Sequence, residues 1–204
     1  MKASIILGHP TKGSFNHAIA DTVREFFLER GDDIFFHDLY EENFDPCLPS
    51  EEVPKNGRLD PVIRKYCEEI AISDCIIVIH PDWWGQPPAI LKGWIDRVIR
   101  PGVAYGFEEG NGGDGIPIGL LKAQFAVVFN TSNTSSEREQ SVFGDPPERL
   151  WRDCIFGLCG VKTFHRKMYS VVCTSAPEQR KMWLDDVRDI LVRASSKAGT
   201  ERRI

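Results

Sequence analysis

The 204-residue sequence has few of the features that mark several common classes of protein. Its 25 lysine and arginine residues are dispersed and its net charge is −5, whereas a nucleic-acid groove requires a concentrated basic surface. No apolar run is long enough to span a bilayer, and the run before Gly8 is too short for the core of a signal peptide. We therefore expect a soluble cytoplasmic protein that neither binds nucleic acid nor inserts into a membrane.

Several motifs of catalysis and metal binding are also missing. The six cysteines form no Cys-x-x-Cys pair, and several lie in apolar segments, which suits buried thiols in a reducing compartment. The five histidines show neither His-x-x-x-His nor His-Glu-x-x-His spacing, so no metal site is predicted. No Gly-x-Ser-x-Gly elbow indicates a hydrolase. Residues 110–115 resemble a glycine fingerprint only superficially, because they neither follow a strand nor open a helix, and a flexible loop is expected.

Two kinds of apolar pattern alternate along the chain. Short apolar runs predict five strands, at residues 3–7, 33–39, 75–79, 124–129 and 167–173. Helical spacing predicts five helices, over residues 14–30, 60–71, 89–99, 146–158 and 177–194. Alternating strands and helices are typical of a parallel sheet with right-handed crossovers. We expect residues 1–204 to form one α/β domain, with a charged, frayed tail from about residue 195.

The most informative segment follows the third predicted strand. Residues 81–85, which we call the tryptophan turn, contain Trp83 and Trp84. Ligands of open α/β sheets bind at the carboxyl ends of the strands, and large aromatic side chains there suit a flat conjugated ligand. The alternative is a packing or dimer-contact role for both tryptophans. Trp94 falls within the helical pattern and is assigned to the core.

Two further turns carry polar groups at the same predicted edge of the sheet. Residues 9–16, the first turn, combine hydroxyls, a glycine and a helix N-terminus, which together can hold a phosphate. Residues 130–134, the polar turn, supply donors that stabilise negative charge on a reduced ring. Each turn is also compatible with an ordinary connection. Taken jointly, a phosphate at one turn and a flat ring at the other two describe a flavin nucleotide.

The string from Pro81 to Trp94 reads Pro-x-x-Trp-x-x-x-Pro-Ala-Ile-Leu-Lys-Gly-Trp. It closely resembles the flavodoxin-like NAD(P)H:quinone oxidoreductases, which include bacterial quinone reductases, modulators of drug activity and ancillary subunits of potassium-efflux systems. Ser14-Phe15-Asn16 after His9 resembles the flavin-phosphate turn of that family. The resemblance covers about residues 3–190. It implies a flavodoxin-like three-layer sandwich with a five-stranded parallel sheet of order 2-1-3-4-5, and a homodimer with the flavin near the interface.

The resemblance also implies roles for individual residues by motif position. The phosphate side of the flavin would be held by His9, Thr11, Ser14, Phe15, Asn16 and Ala18. The isoalloxazine ring would contact Pro81, Asp82, Trp83 and Trp84, and its pyrimidine side would contact Asn130, Thr131, Asn133 and Thr134. The catalytic pocket for the substrate would be formed by Trp84 with Tyr105 and Phe107, the last two from the neighbouring subunit.

The chain departs from the mammalian-type enzymes of this family in two places. They carry Thr-Thr-Gly-Gly where this chain has Thr-Ser-Asn-Thr at residues 131–134. Their Tyr and His near the flavin are replaced around Glu137 and Phe143, so no Tyr–His proton relay is implied. The bulkier Asn133 and Thr134 alter the fit of the nucleotide tail, and both FMN and FAD stay open as the cofactor.

The function that the resemblance implies is flavin-dependent oxidoreduction. A hydride would pass from NAD(P)H to flavin N5, and two electrons from there to a quinone or similar small acceptor, which gives ping-pong kinetics. Three alternatives stay open: single-electron transfer to a protein, regulation of another protein such as an ion-efflux system, and a preference for azo or nitro acceptors. The sequence indicates neither the physiological acceptor nor a choice between NADH and NADPH.

Overall fold

A computed structural model describes residues 1–107 and 117–201. Its main sheet has five strands in the spatial order 2-1-3-4-5, and every neighbouring pair is parallel. This confirms the expected flavodoxin-like order. The strands are β1 (Lys2–Leu7), β2 (Asp33–Asp38), β3 (Cys75–Pro81), β4 (Phe125–Thr131) and β5 (Thr163–Tyr169).

Helices cover both faces of this sheet. One face carries α1 (Phe15–Glu29) and α6 (Pro177–Glu201). The other face carries α2 (Pro61–Ile72), α3 (Ala89–Val98) and α5 (Pro146–Arg149), which continues as the π-helix Leu150–Gly157. A short helix, α4 (Ser136–Ser141), follows the polar turn, and a 3-10 turn lies at Ser50–Glu52.

The central strands are apolar on both sides because both of their faces are covered. In β3, Ile76 and Val78 pack into the core beneath α2 and α3, whereas Ile77 and Ile79 pack into the core beneath α1 and α6. The packing on both faces fixes the carboxyl ends of these strands. The turns after β1, β3 and β4 therefore start from rigid positions at one edge of the sheet.

Two elements have bounds that differ from the prediction. β5 ends at Tyr169, so the β-branched residues Val171 and Val172 belong to the following loop rather than to the strand. The strand begins at Thr163, in a stretch that includes His165 and Arg166. Because these residues are polar, the pattern of apolar runs did not predict the start of the strand. The last helix passes its predicted end at Ala194, so the tail is helical through Glu201 rather than frayed.

A short second sheet lies outside the main one. Tyr105–Gly106 and Ile118–Gly119 form its antiparallel pair. The flexible loop predicted at residues 110–115 lies outside the described residues. Across the described ranges, no helix combines the length and the apolar character needed to cross a bilayer.

Candidate functional site

The three turns identified from the sequence lie side by side at the carboxyl edge of the sheet. Asn16 of the first turn donates from Nδ2 to Thr131 Oγ1 at 2.9 Å, in a buried hydrogen bond. The backbone N–H of Asp82 donates to the Thr131 carbonyl oxygen at 2.7 Å. Thr131, at the end of β4, thus ties the first turn and the tryptophan turn to the polar turn.

A cleft of about 420 Å³ opens between the three turns. This volume is in the range of small-molecule and cofactor sites. The predicted cofactor residues that line the cleft are His9, Ser14, Phe15, Asn16, Pro81, Asp82, Trp83, Thr131, Asn133 and Thr134.

The other predicted residues lie elsewhere. Ala18 lines a neighbouring cleft, and Trp84 lines a second cavity beyond the tryptophan turn. Asn130 is buried, with its Oδ1 accepting from Arg166 Nε at 3.1 Å. Tyr105 and Phe107 contact each other, with ring centroids 5.8 Å apart. Within the part of the chain that the structure describes, Tyr105, Phe107 and Thr11 line neither the cleft nor the second cavity.

The first turn is built by short-range contacts. Ser14 caps α1, and its hydroxyl also lies 2.8 Å from His17 Nδ1. His17 Nε2 lies 3.2 Å from a carboxylate oxygen of Asp38 at the end of β2. The chain turns through Gly13, whose φ of +70° suits glycine. The α1 N-terminus lines the cleft, where its N–H groups favour an anion.

The tryptophan turn is a two-residue hairpin. Trp83 and Gln86 exchange two backbone hydrogen bonds, of 3.0 and 3.1 Å. The two central residues both have positive φ, +59° at Trp84 and +69° at Gly85, as in a type I′ turn. A left-handed conformation is strained for a bulky residue such as Trp84, whose side chain is 100% exposed. The turn holds an indole in solvent at the edge of the site.

A buried histidine supports this turn from below. Trp151 Nε1 donates to His80 Nε2 at 3.0 Å, so the ring proton of neutral His80 resides on Nδ1, which donates to the Pro81 carbonyl oxygen at 2.8 Å. Complete burial lowers the pKa of His80 to about 4. A neutral imidazole with both nitrogens bonded therefore fixes the end of β3.

The second cavity, of about 520 Å³, contains a pair of carboxyl groups. Asp82 and Glu139 both line this cavity and their carboxyl groups interact, and Glu139 is only 3% exposed. Burial is the main cause that raises the pKa of both groups, and the neighbouring Asp82 charge raises that of Glu139 further. The second cavity adjoins the cleft because both are lined by Asp82, Ser132 and Thr134.

Sequence reasoning missed several residues of the site. Ser132, Val172 and Cys173 line the cleft, and Glu139 lines the second cavity. The Ser132 N–H donates to the Tyr169 carbonyl at 3.0 Å, which brings the loop after β5 to the rim. A correct end for β5 would have pointed to residues 172 and 173, since every strand of a parallel sheet delivers its next turn to this edge.

The cleft fits a flavin nucleotide. Asn16 lines it, and the buried Oδ1 of Asn16 has no hydrogen-bond partner among the described residues, so a ligand donor would satisfy it. Aromatic walls come from Phe15 and Trp83 on opposite turns. The α1 N-terminus supplies anion-binding N–H groups at one end, which matches a phosphate on a flat ring.

Comparisons with known proteins agree with this geometry. Residues 1–181 match the model of a family described by its flavodoxin-like fold. The chain is 32% identical over 194 residues to an uncharacterised NAD(P)H oxidoreductase of Haemophilus influenzae, covering 91% of each chain. It is 27% identical over 205 residues to NAD(P)H dehydrogenase (quinone) 1 of Rattus norvegicus, covering 90% of this chain and 74% of that protein.

A solved structure shows the same relationship. The NAD(P)H:quinone oxidoreductase of Methanothermobacter marburgensis superposes with a TM-score of 0.76 at 25% identity, over 93% of this chain and 94% of that one. Fold and cleft together define a flavodoxin-like protein. The chain belongs to the flavodoxin-like NAD(P)H:quinone oxidoreductase family.

Proposed function

We propose that this protein is a flavin-dependent enzyme that uses NAD(P)H to reduce a quinone or similar small acceptor by two electrons. The observation that carries the proposal is the single cleft formed by three turns that are distant in sequence, tied together at Thr131. A bound flavin supplies hydride transfer at N5, first from NAD(P)H and then to the acceptor. If the donor and the acceptor occupied the same part of the cleft in turn, the kinetics would be ping-pong.

The protein residues bind and orient the cofactor in this proposal. The first turn holds the phosphate through Ser14 and the N-terminus of α1, and the Asn16 side chain spans to the polar turn. The polar turn is braced from behind, since Asn133 Oδ1 accepts from the Cys173 N–H at 2.9 Å. Fixed donors on this turn stabilise negative charge on the pyrimidine side of the ring.

We propose FAD rather than FMN as the cofactor. The neighbouring cleft, which Ala18 lines, has a volume of about 390 Å³. It continues from the phosphate end and shares Ser14 and Phe15 with the cleft between the three turns. Arg180 and Lys181 of α6 line it together with apolar side chains such as Leu184. A basic and apolar groove beyond the phosphate accommodates the second phosphate and the adenosine of FAD, which FMN lacks.

Identification of the cofactor tests both levels of the proposal. Purified protein should be yellow, should bleach anaerobically with NADH or NADPH, and should release FAD, identified by its mass, on denaturation. Release of FMN would contradict the proposal that the groove binds adenosine, but it would be consistent with the proposed flavin-dependent function. Colourless protein that neither FMN nor FAD reconstitutes would contradict the function itself.

We also propose that the protein is a homodimer. Large apolar side chains are exposed around the second cavity and near the short strand pair, including Trp84, Phe107 and Phe143. A second copy packed on this side would cover them and would bring Tyr105 and Phe107 of one subunit to the pocket of the other. Analytical ultracentrifugation should give the mass of a dimer, and a monomer at micromolar concentration would contradict it.

A further inference from the structure

Quinone reduction requires a proton as well as a hydride. On the proposed function, NAD(P)H supplies the hydride, and the product hydroquinone needs one proton more. The resemblance implies no Tyr–His relay in this chain. Among the described residues that line the cleft and the second cavity, the titratable ones are His9, Asp82, Cys173 and Glu139.

The histidine and the cysteine lie on the side of the phosphate and the last loop. His9 Nδ1 accepts from the Thr11 N–H at 3.1 Å within the first turn. Cys173 follows β5 and is held through its backbone by Asn133. Asp82 and Glu139 instead line the second cavity, below the fully exposed Trp84.

Two carboxyl groups that line one cavity, one of them buried, favour a shared proton. Two ionised carboxylates are both acceptors only and repel each other, so a hydrogen bond between them requires one protonated partner. Asp82 is positioned by its backbone bond to Thr131, and Glu139 is buried on α4. Asp82 lines both the cleft and the second cavity, so the carboxyl pair lies where the two spaces meet.

The surrounding charges favour retention of this proton. Burial raises the pKa of both carboxyl groups, and Asp145 raises it further, whereas the positive charge of Arg166 on β5 opposes these effects. Arg166 is itself engaged by Asp145 and Glu148, with contacts of 2.8 and 3.3 Å. The backbone N–H of Gly85 also lowers the pKa of Asp82, so of the two groups Glu139 is the one favoured to hold the proton.

We propose that the carboxyl groups of Asp82 and Glu139, which line one cavity, share a proton and donate it to the acceptor. The O–H bond of the pair breaks as an acceptor oxygen forms its own O–H bond, and the hydride from NAD(P)H supplies the electron pair. The quinone becomes a hydroquinone, NAD(P)H becomes NAD(P)⁺, and the ionised pair regains its proton from solvent through the second cavity. This role depends on the proposed function of the cleft.

The test separates the two half-reactions in the flavin-loaded protein. Glu139→Gln keeps a hydrogen-bonding partner for Asp82 but removes the transferable proton, and Glu137→Gln, on an exposed position of the same helix, is the matched control. We expect Glu139→Gln to bleach with NADPH at the wild-type rate and to be reoxidised by a quinone about 100-fold more slowly. Reoxidation by ferricyanide, which takes electrons without a proton, should be unchanged.

The pH dependence gives a second kinetic readout. The donor works while the pair is protonated, so wild-type reoxidation by quinone should slow as pH rises through the raised pKa, and this dependence should disappear in Glu139→Gln. Quinone reoxidation of Glu139→Gln at the wild-type rate and with the wild-type pH profile would overturn the proposal. Equal slowing with quinone and ferricyanide would also overturn it, because it would indicate a structural role.

A measurement without turnover separates this proposal from the proposed function. In protein labelled with ¹³C at the side-chain carboxyl carbons, NMR should show a carboxyl group that titrates above the usual range. That signal should be absent from Glu139→Gln and present in Glu137→Gln. Its absence from the wild type would overturn the shared proton, whereas failure to bleach with NAD(P)H would contradict the proposed function alone.

Discussion

The first turn and the tryptophan turn flank one cleft but are held in different ways. In the first turn, the contacts that cap α1 join residues a few positions apart, as between Ser14 and His17, although Asn16 also bonds Thr131 of the polar turn. The support of the tryptophan turn comes from residues far along the chain, since Trp151 bonds His80 below it and Glu139 lines the second cavity together with Asp82. A turn that is locally built can be recognised from its own sequence, whereas a turn held from a distance takes its chemistry from elsewhere.

The largest effect is expected from a charge in the first turn. Asp caps a helix as well as Ser does, so Ser14→Asp should fold normally. Its carboxylate would face the cofactor phosphate, and like charges a few ångströms apart cost about 4 kcal/mol near a protein surface, or about 1,000-fold in flavin affinity. Fluorescence titration of the apo protein with FAD measures this loss. Ser14→Thr should retain wild-type affinity, and tight binding by Ser14→Asp would remove the first turn from the site.

A smaller effect is expected from acid on the support of the tryptophan turn. The pKa of His80 is lowered to about 4, so its contribution to stability is complete above pH 6.5 and is lost as pH falls towards 4. This loss amounts to about 3 kcal/mol in the free energy of unfolding. Urea denaturation between pH 7 and pH 4 should show a weaker pH dependence in His80→Asn, which keeps a donor for the Pro81 carbonyl. Identical dependence in both proteins would contradict the buried, neutral imidazole.

The smallest effect is expected at the strained residue of the tryptophan turn. Trp84→Asn creates the Asn-Gly pair that type I′ turns favour, and the fully exposed indole contributes little burial. We expect a gain of about 1 kcal/mol in the free energy of unfolding, together with a higher KM for the acceptor. Trp83→Asn, at a residue without positive φ, should give no gain in stability. A stability loss in Trp84→Asn would show that the indole packs in solution.

The fold was predictable because its signals are local and repeated. The apolar runs of β1, β3 and β4 are buried on both faces, and each turn at their carboxyl ends was placed correctly. The edge strand β5 was misplaced, because Arg166 is an ion-paired residue in a strand whereas Val171 and Val172 are apolar residues in a loop. Only the tertiary pairing of β5 with β4 distinguishes these cases.

The chemistry of the second cavity was not predictable. Glu139 lies in a six-residue helix, which is too short for a convincing periodic pattern, and its partner Asp82 is 57 positions earlier in a turn. Nothing in the residues around Glu139 indicates that it is buried. A shared proton arises from contact between two elements, and sequence patterns describe elements one at a time.

Because Leu150–Gly157 is a π-helix, the position of the Trp151 indole depends on the number of residues in this segment. A π-helix closes each hydrogen-bonded ring with one residue more than an α-helix does, and one residue corresponds to about 100° of rotation. Removal of a single residue here would restore ordinary winding and swing the Trp151 indole away from His80. Relatives that keep the same brace beneath their tryptophan turn should therefore align through this stretch without gaps, even where the surrounding loops differ in length.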